Sequence, residues 1–343
     1  ETTTLNVNAT GKVAADKDSS VTVESAHILG ALETSGELVA DIFNIYAGFG
    51  ADDAAGQVSL KSGSSTTVYR LLNIGTANRP DAKYNATATG DDEKIAKLDL
   101  DNATLKFVAI HGEVPHFYVG SDSSAGLLTA TASSIELGEN QSVDFRVGTQ
   151  GTVVLSDTSF TLFRNSAFSN FGAIMTDYAS TITVGGTFTN SGTITVDMTG
   201  AAANGLYKLI DNTGATAMTL ADYGNVILNN AAGYTLSVID NDLYALNADM
   251  STIQVNAAWG GTAPGTEIVI DGKNYYYDIN AYSSASDAFD SFTAETRNIE
   301  LTGDQLLKTD FDDGGEWPKR NFDLALDGDL TLKAADGAES TLT

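Results

Sequence analysis

Apolar and polar residues alternate along most of this chain in short runs. Thr181-Ile-Thr-Val184, Thr193-Ile-Thr-Val196, Ile135-Glu-Leu137 and Val143-Asp-Phe145-Arg-Val147 each place an apolar side chain at every second position. A period of two is the mark of a β-strand with one buried face. The runs Ile135, Val143, Val153-Val-Leu155 and Phe160-Thr-Leu162 recur at about 8–10 residues, with Gly, Asn, Asp and Ser between them as turn formers. The pattern predicts an all-β fold of many short strands.

Between Gly151 and Met198 the strands are also self-similar. Phe168-Ser-Asn170-Phe-Gly172-Ala-Ile174 and Phe188-Thr-Asn190-Ser-Gly192-Thr-Ile194 match at Phe, Asn, Gly and Ile. Gly151 and the β-branched run after it repeat the end of the pattern one turn earlier. A period of about 20 residues marks a repeat unit too small to bury its apolar face alone, so each unit stacks on the next. The expected architecture is a parallel β-solenoid with coils of about 20 residues and two or three strands per coil. Phe168, Asn170, Gly172 and Ile174 then lie against Phe188, Asn190, Gly192 and Ile194 as a structural ladder. Inward asparagines in such a stack can bond amide to amide, which explains the repeat without catalysis.

Upstream, Thr3-Thr-Leu5-Asn-Val7, Val21-Thr-Val23 and Ile42-Phe-Asn-Ile45 read as strands from the first residues onward, so Glu1 reads as the start of an excised segment. The polar stretches from Gly75 to Lys83 and from Thr87 to Glu93 read as projecting loops. Gly233 to Leu246 reads as a hairpin turning at Asp240-Asn241-Asp242. That hairpin closes a first module, 1–247, and a second is expected over 248–343. The second holds the one good helix candidate, Ser284 to Thr293, with Ala285, Ala288, Phe289 and Phe292 at helical spacing and Ser284 as cap. This helix is expected to cap the start of a second β-helical run.

Composition narrows the partners. The net charge of −27 comes from 45 acidic against 18 basic residues, which repels phosphate backbones and anionic lipid. No nucleic acid is expected as partner, and no stretch is long enough to span a bilayer directly. There are 33 Gly and only 4 Pro, and no cysteine for disulfides, thiolate metal sites or cysteine nucleophiles.

Chemistry-bearing groups are sparse. Asp310, Asp312, Asp313 and Glu316 surround Gly314-Gly315 in the densest acidic cluster, a weak Ca2+ candidate that lacks the full calcium-loop pattern. No other cofactor is expected. Tyr275 and Tyr277 share one face of an alternating run and are candidates for stacking on sugar rings. In Ile110-His111-Gly-Glu113-Val-Pro-His116, Gly112 and Pro115 argue against the helix that the zinc-protease arrangement requires. No catalytic residue is assigned.

These residues give the chain a resemblance to repetitive passenger regions of bacterial autotransporter-like surface proteins. The Phe-x-Asn-x-Gly-x-Ile repeat, Gly205-Leu-Tyr207-Lys-Leu-Ile210 and the Asp240-Asn-Asp-Leu-Tyr244 close carry part of it. Val255-Asn-Ala-Ala-Trp259 through Asn280-Ala-Tyr282 also looks like the entry to a pectate-lyase-like β-helix. The resemblance implies a right-handed parallel β-helix, export to the outer-membrane surface of a bacterium, and a non-enzymatic role as adhesin, stalk or scaffold. Surface glycans or proteins of host or bacterium, and end-to-end self-association, are the implied partners. A polysaccharide lyase or glycoside hydrolase on the same fold is the alternative, and a self-assembling surface-layer or filament subunit is a third reading.

Overall fold

The computed structural model describes residues 3–47, 55–76, 95–108, 114–139, 141–201, 205–214, 216–239 and 241–247. Beyond these it describes the backbone of strands at 252–256, 267–270, 273–276, 280–282, 298–302 and 331–334. The chain divides into two compact units, Glu1–Gly200 with Tyr207–Ala245, and Ala201–Leu206 with Leu246–Thr343. No α-helix occurs among the described residues. A 3-10 turn at Leu220–Tyr223 is their one helical element.

The first unit is built on a 15-stranded and a nine-stranded sheet. Every pairing described in register within them is parallel, as at Asp144–Val147 on Ala167–Asn170 and Gly151–Ser156 on Ala173–Asp177. The chain visits the sheets in a fixed cycle. Gly126–Thr131 lies in the nine-stranded sheet, Ser134–Leu137 and Asp144–Val147 in the larger, and Gly151–Ser156 in the smaller again. Ser159–Leu162, Ala167–Asn170 and Ala173–Asp177 repeat the cycle, and Thr181–Val184, Thr187–Asn190 and Thr193–Asp197 repeat it once more. The two strands that each cycle gives the larger sheet lie in separate halves. The long strand Ser65–Thr76 joins the halves, pairing with Thr104–Phe107 through its first residues and with His116–Val119 through its last.

Parallel register turns alternation into columns of like side chains. One runs Leu5, Ala26, Phe43, Leu72, Phe117, Phe145, Phe168, Phe188. Beside it run Val7, Ile28, Ile45, Ile74, Val119 and Val147, and this column ends on Asn170 and Asn190. A third, on the smaller sheet, runs Val13, Leu32, Val58, Leu98, Leu128, Val153, Ile174, Ile194, Val226. Phe43, Phe117, Phe145, Phe160 and Phe168 are buried. Successive rings meet edge-on or tilted at 5.2 Å for Phe117–Phe145 and 5.4 Å for Phe145–Phe168, then stack at 5.0 Å for Phe168–Phe188. Such contacts add about 0.5–1.5 kcal/mol each beyond burial.

The expected spacing of about 20 residues is local and not general. Stacked partners stand 17 residues apart at Ser20 and Glu37, 20 at Asn170 and Asn190, 29 at Asn44 and Asn73, and 32 at Thr193 and Asn225. Most of the extra residues fall in the connections between strands, while one lies within a strand, where the register of Glu37–Tyr46 on Ser65–Thr76 shifts between Ala40 and Ile42. The aromatic column ends under Tyr223, a fully buried ring 5.3 Å from Phe188 in the 3-10 turn. Thr235–Ile239 and Asp242–Asn247 are hydrogen-bonded neighbours at the end of the larger sheet, with Asn241 between them at φ 74°.

In the second unit, Asn280–Tyr282, Thr252–Asn256, Asn298–Thr302 and Thr331–Ala334 form one parallel sheet in that order. Glu267–Ile270 and Lys273–Tyr276 form an antiparallel pair. The helix expected over 284–293 lies outside the described residues.

Candidate functional site

One surface feature among the described residues follows the corner where the chain leaves the nine-stranded sheet. There the backbone turns through a single left-handed residue, Asn102, Ala132 or Asp157, each at φ 48°. Asn and Asp adopt this conformation readily because their short polar side chains bond locally, whereas Ala132 carries its steric cost. One residue later the side chains point inward and form a ladder of hydroxyls. Ser133 Oγ accepts the Ala103 amide at 3.1 Å and donates to the Thr131 carbonyl at 2.7 Å. Thr158 Oγ1 accepts the Ser133 amide at 3.4 Å and donates to the Ser156 carbonyl at 2.9 Å. Ser180 Oγ accepts the Thr158 amide at 3.0 Å and donates to Asp177 Oδ1 at 2.7 Å. All three hydroxyls are buried, so the ladder satisfies corner amides that the sheet leaves free.

Outside this ladder lies an open groove of about 510 Å3, lined by Asn102, Thr104, Ser134, Asp157, Ser159 and Thr181 among others. Ala179, which also lines it, follows Tyr178 in the chain, and Tyr178 opens a cluster of three half-buried tyrosines. Tyr178 meets Tyr207 edge-on at 4.9 Å, and Tyr207 meets Tyr234 at 5.9 Å. Hydroxyls, an amide and one carboxylate, with half-buried aromatic rings next in the chain to the groove's edge at Ala179, are the kinds of group that hydrogen-bond and stack on sugars. A second, shallower hollow of about 400 Å3 lies where the chain enters the same sheet, lined by Thr149, Gln150, Phe171, Ser191, Thr193 and Asn225 among others.

Two charged clusters flank the columns. Lys208 Nζ bonds Asp242 Oδ2 at 2.7 Å and Asp211 Oδ1 at 2.9 Å and lies 5.7 Å from the Tyr244 ring centre. Burial opposes its charge, yet the two carboxylates outweigh that and hold the amine well above its ordinary pKa. Burial, then the charges of Asp242 and Asp211, push the Tyr223 phenol up as well. Asp242 also accepts the Asn212 amide at 2.8 Å, which ties the closing hairpin to the preceding strand. On the outer side of the larger sheet, His116 Nδ1 lies 3.2 Å from Asp144 Oδ2 and 2.8 Å from the Tyr118 hydroxyl. Burial, followed by the Asp144 charge, raises the Tyr118 pKa.

The repeat residues are brought together. Asn170 Nδ2 donates to Asn190 Oδ1 at 2.8 Å, and Asn190 Nδ2 donates to the Tyr223 carbonyl at 2.9 Å. Asn170 Oδ1 accepts the Gly172 amide at 3.2 Å, closing an Asx turn. A Cβ on Gly172 would stand 2.3 Å from the carbonyl oxygens of both Gly148 and Gly151, and one on Gly192 2.2 Å from that of Gly172. Close backbone stacking therefore dictates these glycines. Ile174 pairs with Ile194 in the smaller sheet.

Asp310, Asp312, Asp313 and Glu316 lie outside the described residues, as do Tyr277, His111 and Glu113. Tyr275 sits opposite Ile268 in the antiparallel pair. Among the described residues no group of three or more His, Asp or Glu is placed to hold a metal ion, and no helix is long and apolar enough to cross a membrane. Sequence reading missed the hydroxyl ladder. Its signal is the small polar residue after each corner, in Ala132-Ser133-Ser134, Asp157-Thr158-Ser159 and Ala179-Ser180-Thr181. Comparison with family models, curated proteins and solved structures returned no match.

Proposed function

We propose that the first unit is a right-handed parallel β-solenoid that serves as a non-enzymatic scaffold or adhesin on a bacterial cell surface. The observation that carries the reading is the fixed cycle of strands with side-chain columns in register. A chain that returns repeatedly to the same parallel sheets has to cross over each time, and such crossovers are right-handed in about 98% of cases. The parallel strands of the second unit extend the proposal to a second β-helical module. Extensive acidic surface suits an exposed, solvated protein, and the export and anchoring belong to the autotransporter-like reading.

The contact surface in this reading is the corner groove with its tyrosine cluster, and its ligand is a glycan. A hydrolytic site requires two carboxylates across the sugar, and Asp157 is the one carboxylate among the groove's described lining. Binding is therefore favoured over cleavage. The test is incubation with plant, mucin and bacterial polysaccharides, with and without Ca2+, scoring retention and chain cleavage together. Retention that is lost in Tyr178→Ala and Tyr207→Ala supports the adhesin. Cleavage of any glycan sinks the non-enzymatic reading. Neither retention nor cleavage removes the glycan and leaves the scaffold.

A further inference from the structure

The floor of the corner groove repeats one chemical group. Thr104, Ser134, Ser159 and Thr181 lie on one another in register, so four successive coils each present an outward hydroxyl there. Three steps of about 4.8 Å make this rail about 14 Å long. Along the chain the lining is narrower, running only from Asn102 to Thr104 or from Asp157 to Ser159, about 7 Å. The groove is therefore a trough whose long axis crosses the strands. Ser134 Oγ donates to Glu136 Oε1 at 3.1 Å and Thr181 Oγ1 to the Lys208 carbonyl at 3.4 Å. The hydroxyls of Thr104 and Ser159 have no such partner among the described residues. Two positions before each rail member stands Asn102, Ala132, Asp157 or Ala179, which puts a carboxylate at one coil of the four. Asp177 accepts the Asp157 amide at 3.1 Å and brings a second carboxylate to that corner. The described lining contains no Lys, Arg or His.

We propose that the occupant of this trough is an uncharged, extended polysaccharide chain lying across the strands. The inference rests on the groove reading above and adds to it the class of glycan. The strands that carry the rail are hydrogen-bonded on both sides, so a peptide cannot join them as a further strand. No side chain of the described lining is more apolar than Ala, which leaves lipid tails and apolar peptide side chains no surface to bury against. Nucleic acid and acidic glycans meet Asp157, Asp177 and a net charge of −27 with no cation in the described lining. A cationic polymer would settle on acidic surface anywhere, and a carboxylate at one coil in four gives it no repeated contact. The group that does repeat is the hydroxyl, which offers each successive sugar the same donor or acceptor. A single sugar ring is short beside the rail, so contact accumulates along a chain and not at its end.

Isothermal titration calorimetry of the full chain tests it, with β-linked oligomers of glucose, mannose, xylose and N-acetylglucosamine from dimer to hexamer, beside galacturonate oligomers of the same lengths. At least one uncharged series should bind about tenfold more tightly as hexamer than as dimer. The galacturonates should not bind the parent in about 0.15 M NaCl, and Ser159→Lys, which sets a cation on the rail, should admit them. Thr104→Val with Ser159→Ala removes the two hydroxyls free to donate. It should weaken the hexamer about tenfold with an unchanged circular dichroism spectrum. Galacturonate that binds the parent as tightly as the uncharged oligomers, or more tightly, overturns the inference and leaves the groove as a glycan site. So does a dimer that binds as tightly as the hexamer. Binding of no oligomer, or a hexamer affinity that the double substitution leaves unchanged, removes the groove reading together with this one.

Discussion

Asn170 is the residue on which the repeat can be tested most sharply. It occupies a column position that is Val147 one strand earlier, and it is fully buried. Its amide donates to Asn190 Oδ1 at 2.8 Å and approaches the Thr193 carbonyl at 3.3 Å, while its oxygen accepts the Gly172 amide at 3.2 Å. Asn170→Ala strips partners from a part-buried amide and a part-buried carbonyl, at the low end of about 1–3 kcal/mol each, whereas half-exposed Asn190 recovers water. The sum is a loss of about 2 kcal/mol, against about 1 kcal/mol for Asn190→Ala. In a double-mutant cycle the two share one bond, so the coupling should be about 1 kcal/mol. Stacked arrays open piecewise, so native-state hydrogen exchange at the Gly172, Gly192 and Thr193 amides is the suitable assay, supported by denaturant unfolding. A loss below about 0.5 kcal/mol for Asn170→Ala, or a gain in stability for Asn170→Val, would refute the amide ladder. The second outcome would mean that the column wants β-branched residues to its end.

Other perturbations probe the stack at separate points. Phe145→Ala, in the middle of the ring column, should cost about 3–5 kcal/mol, and Phe188→Ala clearly less because its ring is half exposed at the column's end, as read by thermal unfolding. Lys208→Met leaves nearly buried Asp242 without its cation and should cost about 1–2 kcal/mol at neutral pH, discounted because Lys208 is partly open to water. Because the folded Lys208 amine is held above its ordinary pKa, its contribution is fully present below the unfolded lysine pKa and is lost as pH rises through the folded value, so the Tm difference from the parent narrows only at strongly alkaline pH. Bonds from the Thr219 amide and hydroxyl hold the Asp222 carboxyl below its ordinary pKa. The turn over Phe188 is therefore fully secured above the unfolded carboxyl pKa and is released as pH falls through the lower folded value. Hydrogen exchange at the Asp222 and Gly224 amides should accelerate there, and no acceleration would contradict the assignment.

Much of the strand content was legible in the chain because alternation maps directly onto one-sided burial. Ile135, Leu137, Phe160, Leu162, Ile182 and Val184 all face inward. The repeat was legible at Phe168 and Phe188, where turns of equal length keep Phe, Asn, Gly and Ile in phase. One coil earlier it was obscured. Phe145 and Val147 stack on Phe168 and Asn170, but the turn from Val147 to Gly151 is two residues longer than that from Asn170 to Gly172, so a fixed period aligns only the glycine. The corner groove was not legible. Its members Asn102, Ala132 and Asp157 share a backbone conformation and not a residue type, and the spacing between them changes from coil to coil. The tyrosine cluster was hidden for a related reason, since Tyr178, Tyr207 and Tyr234 meet through coil stacking across long stretches of chain.

The central claim, that successive cycles of chain stack one strand at a time, is open to a direct distance measurement. The chain has no cysteine, so spin labels can be placed at will. Lys12, Ala31, Gln57, Lys97, Leu127, Thr152, Ala173, Thr193 and Asn225 follow one another in register across the smaller sheet. Labels at Lys12 and Asn225 should therefore lie about 38 Å apart, and labels at Lys97 and Asn225 about 24 Å apart, with narrow distributions. Distances in that proportion, measured by pulsed electron paramagnetic resonance, are the predicted result. Equal distances for the two pairs, or broad distributions at both, would contradict the stacking on which the whole account depends.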